Sequence, residues 1–454
     1  MTTAATLETL RARGLAALQD GRLADSIDDL QRALALAPGD AQANLAFANL
    51  CIRLQQPELA VEHLQRVLAA VPGSEAARCG MAHALCALGR AADGLALLAD
   101  VQAHNPRSRV AWMASGIIRE RMRDDDGARR DYEAALALAP GDSAIRYHRA
   151  FLRLRAGDFA AGWADYEHRF GAGAVARPAR RARRWDGAAV AALDIVAEQG
   201  LGDAIHFARF VAAARERARS VTLRVAAPLV GLLARSLDCR VIALDDPGGR
   251  ERPAASIEMM SLPHALGLGD RCVEAPAAYL RADPRRADAL AALLPRHAVP
   301  SVGVAWAASS AHATEATPYS RRSVPAPLLR GLAELPGWRA VSLQVGPRAR
   351  DAAALPGVLD AAPLLKDFDD TAALVAQLDA VVTVDTSIAH LAGALGKPVL
   401  LLAPYAANWQ WMHGEATPWY PLLRSFRQDA PGDWSGPIRS AIAALSQRAV
   451  TAVR

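Results

Sequence analysis

Four prolines, Pro38, Pro72, Pro106 and Pro140, recur at one constant spacing in the first third of the chain. A constant period of about 34 residues is typical of a solenoid of helix–turn–helix units, because one unit alone cannot bury its apolar face. Proline cannot continue a helix and disfavours helix at the residue before it, so each proline marks the end of a unit. The period therefore predicts a helical array, with any chemistry lying downstream.

Three further positions keep the same period. Small residues lie twenty-four and twelve positions before each proline, and a large residue lies eight positions before it. The first set is Gly14, Ala48, Ala82 and Gly116, the second is Ser26, Ala60, Gly94 and Ala128, and the third is Leu30, Leu64, Leu98 and Tyr132. We expect the small residues to let the two helices of a unit approach closely. The pattern resembles the tetratricopeptide repeat (TPR), which implies a protein or peptide partner on the concave face.

An incomplete fifth unit begins at Ser143, which extends the predicted solenoid over residues 1–170. Trp163, Tyr166 and Phe170 share one helical face by their i, i+3, i+7 spacing. We interpret this aromatic edge as a seal against the next domain, with ligand contact as the alternative.

An arginine run follows within residues 171–190: Arg177, Arg180, Arg181, Arg183 and Arg184. We interpret it as a solvated linker, with a membrane or nucleic-acid anchor as the alternative. Because no interleaved aromatics or recognition helix accompany the run, we predict no nucleic-acid partner.

The length and composition of the chain limit its number of domains and its expected cellular location. The 454 residues are enough for two or three domains. No apolar run approaches the roughly 18 residues of a membrane-spanning helix, so no transmembrane segment is expected. The start of the chain lacks the basic and apolar regions of a secretory signal. The five cysteines form no CxxC pair and fit neither a zinc site nor a disulfide framework, so we expect no metal and a cytoplasmic location.

Short apolar runs replace the helical period after the linker. They cover residues 193–197, 221–225, 302–306, 340–345, 380–384 and 399–402, each followed by a turn and a helical stretch. Strands alternating with helices predict parallel sheets. The fold class expected is thus α + α/β: a helical solenoid, then two Rossmann-like domains at 191–297 and 298–454.

The turn Glu198–Asp203 carries the first chemical signal, because it leaves a strand and opens a helix. Gly200 and Gly202 let the backbone approach a ligand, and free N–H groups at a helix start favour an anion. Asp203 is either a simple N-cap or a general base acting on an acceptor hydroxyl.

A second turn runs from Val384 through Asp385, Thr386 and Ser387 into a helix of about two turns, which a glycine and a proline end. Its backbone N–H groups and hydroxyls predict a phosphate-sized nest. His390 lies four residues beyond Thr386, on the same helix face.

The segments EQGLGDAIHFARF, SLQVG and DTSIAHLAGALGKPVLLLAP, with NWQWM and TPWYP after them, resemble bacterial TPR proteins that end in a glycosyltransferase-like module. That module is similar to ADP-heptose:lipopolysaccharide heptosyltransferases and, more distantly, to TPR-bearing O-linked N-acetylglucosamine transferases. The resemblance implies a GT-B fold, with an acceptor domain first and a nucleotide-sugar domain second. It implies no cofactor and no metal.

The resemblance also implies site residues. Asp203 matches the catalytic base. The donor diphosphate would be bound by Arg321, Arg322, Asp385, Thr386, Ser387 and His390. The sugar, nucleotide or acceptor cleft would be lined by Gln199, Gly200, Gly202, Trp306 and Gln344, although Gln344 fits a strand-end surface residue nearly as well.

Two departures from the family pattern leave the activity open. Ala307 stands where the family commonly has glycine, and Glu315 lies where an aspartate is common. The leading hypothesis is a glycosyltransferase that moves a sugar from a nucleotide-sugar to a protein or glycan hydroxyl presented by the repeats. The alternative is a TPR interaction scaffold with a degenerate, non-catalytic module.

Overall fold

The computed structural model describes residues 3–178, 182–246, 253–274, 278–291, 299–308 and 322–452. The described chain divides into two compact units, the second beginning at Arg149. Among the described residues, no helix is both long enough and apolar enough to cross a membrane.

The first unit is a series of antiparallel helix pairs. Its helices are α1 (Thr3–Gln19), α2 (Leu23–Leu36), α3 (Ala41–Arg53), α4 (Pro57–Ala70), α5 (Glu75–Ala87), α6 (Ala91–His104), α7 (Arg109–Arg121), α8 (Asp125–Leu138) and the first part of α9 (Ser143–Ala156). The pairs α1–α2, α3–α4, α5–α6 and α7–α8 pack together, as the proline period predicts.

The periodic positions explain this packing. The large residue eight positions before each proline is completely buried. In the first and fourth units it packs against the glycine that lies twenty-four positions before the proline. A Cβ added to Gly14 would lie 2.7 Å from Leu30 Cγ, and one added to Gly116 would lie 2.5 Å from Tyr132 Cε1. These contacts leave room only for glycine.

A further periodic device caps the first helix of each following pair. The residue two after each proline accepts a hydrogen bond from the backbone N–H three residues on, at 2.7–3.3 Å. These residues are Asp40, Ser74, Ser108 and Asp142. Such caps satisfy amide groups that a helix start would otherwise leave unpaired.

The second unit begins with the end of α9 and α10 (Phe159–Tyr166) and then contains two parallel sheets. The first sheet has the order β3-β2-β1-β4 and the second β10-β9-β8-β5-β6-β7. The strands are β1 (Val190–Val196), β2 (Ala218–Val225), β3 (Arg240–Ala243), β4 (Ala255–Glu258), β5 (Ser301–Ala305), β6 (Arg339–Ser342), β7 (Leu359–Asp360), β8 (Ala380–Val384), β9 (Val399–Ala403) and β10 (Leu423–Arg427). The predicted fold class is confirmed.

Helices connect and cover these strands. They are α11 (Leu201–Phe207), α12 (Val211–Arg215), α13 (Val230–Ser236), α14 (Leu262–Ala265), α15 (Pro284–Ala291), α16 (Arg330–Ala333), α17 (Phe368–Gln377), α18 (Ser387–Ala394) and α19 (Ser435–Ala452). Because α11 follows β1 and α18 follows β8, both begin at the carboxyl ends of parallel strands, where ligands usually bind in such sheets.

Arg177 and Arg184 of the arginine run are exposed to solvent and also take part in ion pairs. The Arg177 guanidinium lies 4.2 Å from the centroid of the Phe170 ring and pairs with Glu258 at 3.7 Å. Arg184 forms ion pairs with Glu167 and Glu258. Arg180 and Arg181 lie outside the described residues.

The aromatic edge packs onto the α/β elements, as expected. The Trp163 ring meets Phe207 and Trp409 edge-on, with centroid distances of 5.7 and 5.3 Å. The Tyr166 hydroxyl accepts a hydrogen bond from Nε2 of Gln199 at 2.9 Å. Gln199 is therefore engaged in holding this edge against the turn that precedes α11.

Candidate functional site

Asp203 lies in the first turn of α11. The backbone N–H of Gly200, the N-cap residue, donates to Asp203 Oδ2 at 3.2 Å. Asp203 is the third helical residue, so the N-cap interpretation is wrong: the carboxylate reaches back to the cap from within the helix. Its other oxygen, Oδ1, accepts from Nε2 of Gln410 at 3.4 Å.

The surroundings of Asp203 alter its acidity. The pKa of Asp203 is raised to about 6, mainly by burial and also by the charge of Asp385. The Gly200 N–H, the Arg322 charge and the Gln410 amide act in the opposite direction. A carboxylate with this pKa is ionised at neutral pH but binds a proton more readily than an ordinary aspartate, as a general base requires.

The second predicted turn lies at the end of β8, whose five residues are all buried. Asp385 is 4 % exposed, and its Oδ2 has no hydrogen-bond partner among the described residues. Thr386 is the N-cap of α18, and its hydroxyl accepts from the Ile388 N–H at 3.2 Å. The helix runs for two turns and is followed by Gly396, which has φ +72°, as the sequence predicts.

The two turns are in direct contact. A Cβ added to Gly202 would lie 2.9 Å from Cδ2 of His390 and 3.3 Å from the Cα of Ser387. The starts of α11 and α18 therefore adjoin, and at Gly202 no space remains for a ligand between them. A ligand therefore cannot lie between the two helix starts at Gly202.

This contact gives a testable expectation. Replacing Gly202 with alanine is expected to lower the free energy of unfolding by about 1–3 kcal/mol, because overpacking forces neighbouring groups to move. The His390 ring cannot easily yield, since Trp411 and Tyr420 hold it. Urea denaturation of Gly202→Ala beside Gly39→Ala measures the effect. Gly39 has nothing near an added Cβ, so equal losses in both variants would contradict the contact.

His390 is fixed on two sides. Its Nδ1 lies 3.0 Å from the Tyr420 hydroxyl, and its ring stacks on Trp411 with a centroid distance of 4.8 Å. Burial lowers the pKa of His390 to about 3, and the charge of Arg209 lowers the pKa as well. The ring is therefore neutral near pH 7 and can offer a ligand a hydrogen bond but no charge.

A buried polar network supports His390. The Arg209 guanidinium donates to the carbonyls of His206 and Trp419, both at 3.0 Å, and to the Tyr279 hydroxyl at 3.3 Å. Its central carbon lies 4.8 Å from the centroid of the Tyr420 ring. Sequence reasoning assigned no role to these residues, although His206, Arg209 and Tyr420 stand in the segments that carried the resemblance.

The turn after β5 is braced by Gln344. Its Oε1 accepts from the backbone N–H groups of Trp306 and Ala307 at 3.1 and 2.8 Å, and its Nε2 donates to the carbonyls of Ala307 and Val345. Gln344 is 7 % exposed, so the surface-residue interpretation is wrong. Ala307 is not among the non-glycine residues with positive φ, so alanine causes no backbone strain there.

Arg322 follows this turn and is partly buried. Its Nε is buried and has no hydrogen-bond partner among the described residues, and its charge lowers the pKa of Asp203. A cationic side chain thus acts on the same carboxylate as Asp385 does. Arg321 and Glu315 lie outside the described residues.

The comparisons with known proteins agree with this architecture. The tetratricopeptide repeat model matches residues 17–70 and 55–115, and the glycosyltransferase family 9 (heptosyltransferase) model matches residues 361–409. The second match includes Asp385, Thr386, Ser387 and His390. The chain therefore carries TPRs and a heptosyltransferase-like region, as the sequence predicts.

The individual proteins that match differ in the share of this chain that they cover. Protein FlbA of Caulobacter vibrioides is 26 % identical over 486 residues, covering 91 % of this chain and 80 % of FlbA. The structure of the Escherichia coli ADP-heptose lipopolysaccharide heptosyltransferase II matches with 12 % identity and a TM-score of 0.40, covering 58 % of this chain and 99 % of that one. TTC0263, a TPR protein of Thermus thermophilus, matches with 23 % identity and a TM-score of 0.34, covering 36 % of this chain and 90 % of that one.

Proposed function

We propose that this chain, with its TPRs and its glycosyltransferase family 9 region, transfers a sugar from a nucleotide-sugar to an acceptor hydroxyl. The supporting observation is the position of Asp203 beside two charged groups, Asp385 and Arg322. Asp385 Oδ2 and Arg322 Nε are buried and have no hydrogen-bond partner within the described part of the chain. A buried polar atom without a partner costs free energy, so a ligand that supplies the partner gains affinity.

The reaction follows from these groups. Asp203 accepts the proton of the acceptor hydroxyl while the hydroxyl oxygen forms a bond to the anomeric carbon of the sugar. The bond from that carbon to the diphosphate breaks, and the nucleoside diphosphate leaves with the electron pair. Arg322 and the Ser387 N–H at the start of α18 would stabilise the charge that develops on the leaving group.

For Asp385 we propose a role other than the diphosphate contact that the resemblance implies. A carboxylate repels a diphosphate, because both are anionic. The unpaired Oδ2 instead suits a hydroxyl donor, so we assign it to a hydroxyl group of the transferred sugar. Thr386 and Ser387 remain the proposed diphosphate contacts.

The acceptor and the metal requirement complete the proposal. Because TPR arrays present extended binding surfaces, we assign a protein or glycan acceptor to the repeats. We expect the reaction to need no metal ion, since Arg322 and the helix start would supply the positive potential.

Isothermal titration calorimetry tests the proposal directly. The wild-type chain is titrated with UDP-, GDP-, ADP- and CMP-sugars, and at least one is expected to bind with a Kd between about 1 μM and 1 mM, the usual range for enzyme substrates. Arg322→Met is expected to weaken that binding, whereas Arg330→Met, at an exposed position, is expected to leave it unchanged. No heat with any of the four donor classes would contradict the proposal.

A second candidate is an interaction scaffold whose α/β unit is not catalytic. The contact of Gly202 with Ser387 favours it, because that contact leaves no space for a sugar at this point. A chain that binds a protein through its repeats but none of the nucleotide-sugars would support this alternative.

A further inference from the structure

Gln410 is a buried polar residue beside Asp203 that the mechanism above does not use. It lies in the short 3₁₀ helix Trp409–Trp411 and is 1 % exposed. A side chain with this burial normally forms hydrogen bonds with all of its polar atoms.

The amide of Gln410 satisfies only half of that requirement. An ionised carboxylate offers acceptors only, so the group that faces Asp203 Oδ1 must be the Nε2 amide. The carbonyl oxygen Oε1 is then buried, and it has no hydrogen-bond partner among the described residues. One end of the side chain is engaged with the proposed base while the other end is free to accept a hydrogen bond.

The backbone around Gln410 is held in an unusual conformation. Its carbonyl accepts from the Thr417 hydroxyl at 2.9 Å. Met412 has φ 50° and ψ −154°, a region that residues other than glycine rarely adopt. The Met412 carbonyl accepts from Nη2 of Arg427 at 2.6 Å. Strain of this kind persists only where neighbours enforce it, and it concentrates at functional sites.

We infer that Gln410 is a positioning residue for Asp203 and a binding residue for the sugar substrate. Its amide fixes the carboxylate in the orientation that meets the acceptor hydroxyl, and its Oε1 accepts a hydrogen bond from a hydroxyl of the bound sugar. The inference rests on the proposed glycosyltransferase function. Gln410 itself neither gains nor loses a proton, because the proton of the acceptor passes to Asp203.

The first test needs no substrate. Gln410→Met keeps the shape of the side chain but removes both hydrogen-bonding groups. The titration of Asp203 is followed by carboxyl ¹³C NMR in Asp-labelled full-length chain, with its resonance assigned by its absence in Asp203→Asn. The midpoint is expected to move to higher pH in Gln410→Met, since the ionised carboxylate loses a donor. An unchanged midpoint would overturn the positioning role.

A matched control separates this effect from general disturbance. Gln428 is 2 % exposed, and its Oε1 accepts from the backbone of Tyr405 and Gly432. Gln428→Met is expected to leave the Asp203 midpoint where it is in the wild type. An equal shift in both variants would show that the change does not pass through Gln410.

The second test concerns the free oxygen. With the nucleotide-sugar that the wild type binds, Gln410→Met is expected to raise the Kd roughly 10- to 100-fold, the cost of leaving a buried ligand group unpaired. Gln410→Leu also lacks both hydrogen-bonding groups and serves as a second variant if Gln410→Met does not fold. It is expected to shift the Asp203 midpoint and the Kd in the same directions. Unchanged nucleotide-sugar binding in Gln410→Met would overturn the binding role of Gln410. If the wild type binds no nucleotide-sugar, the proposed glycosyltransferase function is overturned, and the NMR result still decides the positioning role.

Discussion

Replacing Asp203 with asparagine is expected to reduce the rate of sugar transfer roughly 10²- to 10⁴-fold, the usual contribution of a positioned general base. Asparagine keeps the size of the side chain and its contact with the Gly200 N–H, so the fold and donor binding should persist. The rate is measured with the nucleotide-sugar found by calorimetry. Asp429→Asn, at an exposed position, is the control, and equal rates for both variants would remove Asp203 from the mechanism.

The same variant has a signature in the pH profile. Since Asp203 must be ionised to act and burial raises its pKa to about 6, the wild-type rate should rise with pH through about 6 and then level. In the folded state this carboxyl binds its proton more tightly than in the unfolded chain, whose pKa is near 3.8. Its ionisation therefore lowers stability as pH rises between these values. Asp203→Asn should lack both the acid limb and this loss of stability.

Replacing Arg169 with methionine is expected to lower the free energy of unfolding by about 3–5 kcal/mol at a pH that keeps Glu198 ionised, because it leaves a buried carboxylate uncompensated. The side chains of Arg169 and Glu198 are both 0 % exposed and meet at 2.9 Å. Arg169 also donates to the Ser261 hydroxyl at 2.7 Å and to Glu167 at 3.0 Å. Urea denaturation followed by tryptophan fluorescence measures the loss.

Two further variants test whether the loss of stability in Arg169→Met comes from the buried carboxylate of Glu198. Arg424 and Glu415 form an ion pair in which both side chains are more than half exposed, so Arg424→Met should cost at most about 1 kcal/mol. Burial raises the pKa of Glu198 to about 7, so the deficit of Arg169→Met should grow as pH rises above about 7 and the carboxyl ionises. Adding Glu198→Gln to Arg169→Met should restore part of the stability. A deficit that does not depend on pH would contradict this account.

The repeats were predictable because their signals are local and recur. The prolines and the small and large positions before them lie within one unit, so a single period of the sequence contains the whole packing rule. Strands β8 and β9 were predictable for the same reason, since each is an uninterrupted apolar run. Strands β3, β4, β7 and β10 were missed because each is short or carries charged residues, such as Glu258 in β4 and Arg424 in β10.

The candidate site was predictable only in part. Asp203 and Asp385 follow apolar runs with recognisable spacing, so the sequence could place them shortly after strands β1 and β8. Gln410 contacts Asp203 across 207 positions of the chain, and Arg209 reaches Trp419 across 210. No local pattern encodes such contacts, because they depend on how the two sheets pack within the unit.

The hydroxyl of Tyr420 limits which nitrogen of His206 and His390 can carry a proton. It lies 3.0 Å from Nδ1 of both His206 and His390, yet it has a single hydrogen to donate. At most one of the two imidazoles can therefore accept the Tyr420 hydrogen at its Nδ1. That imidazole, when neutral, carries its own proton on Nε2. The Nε2 of His206 is buried without a partner among the described residues, and an orphaned N–H is rarer there than an orphaned lone pair. The tautomer that this favours gives the Tyr420 hydrogen to His390, which then carries its own hydrogen on Nε2.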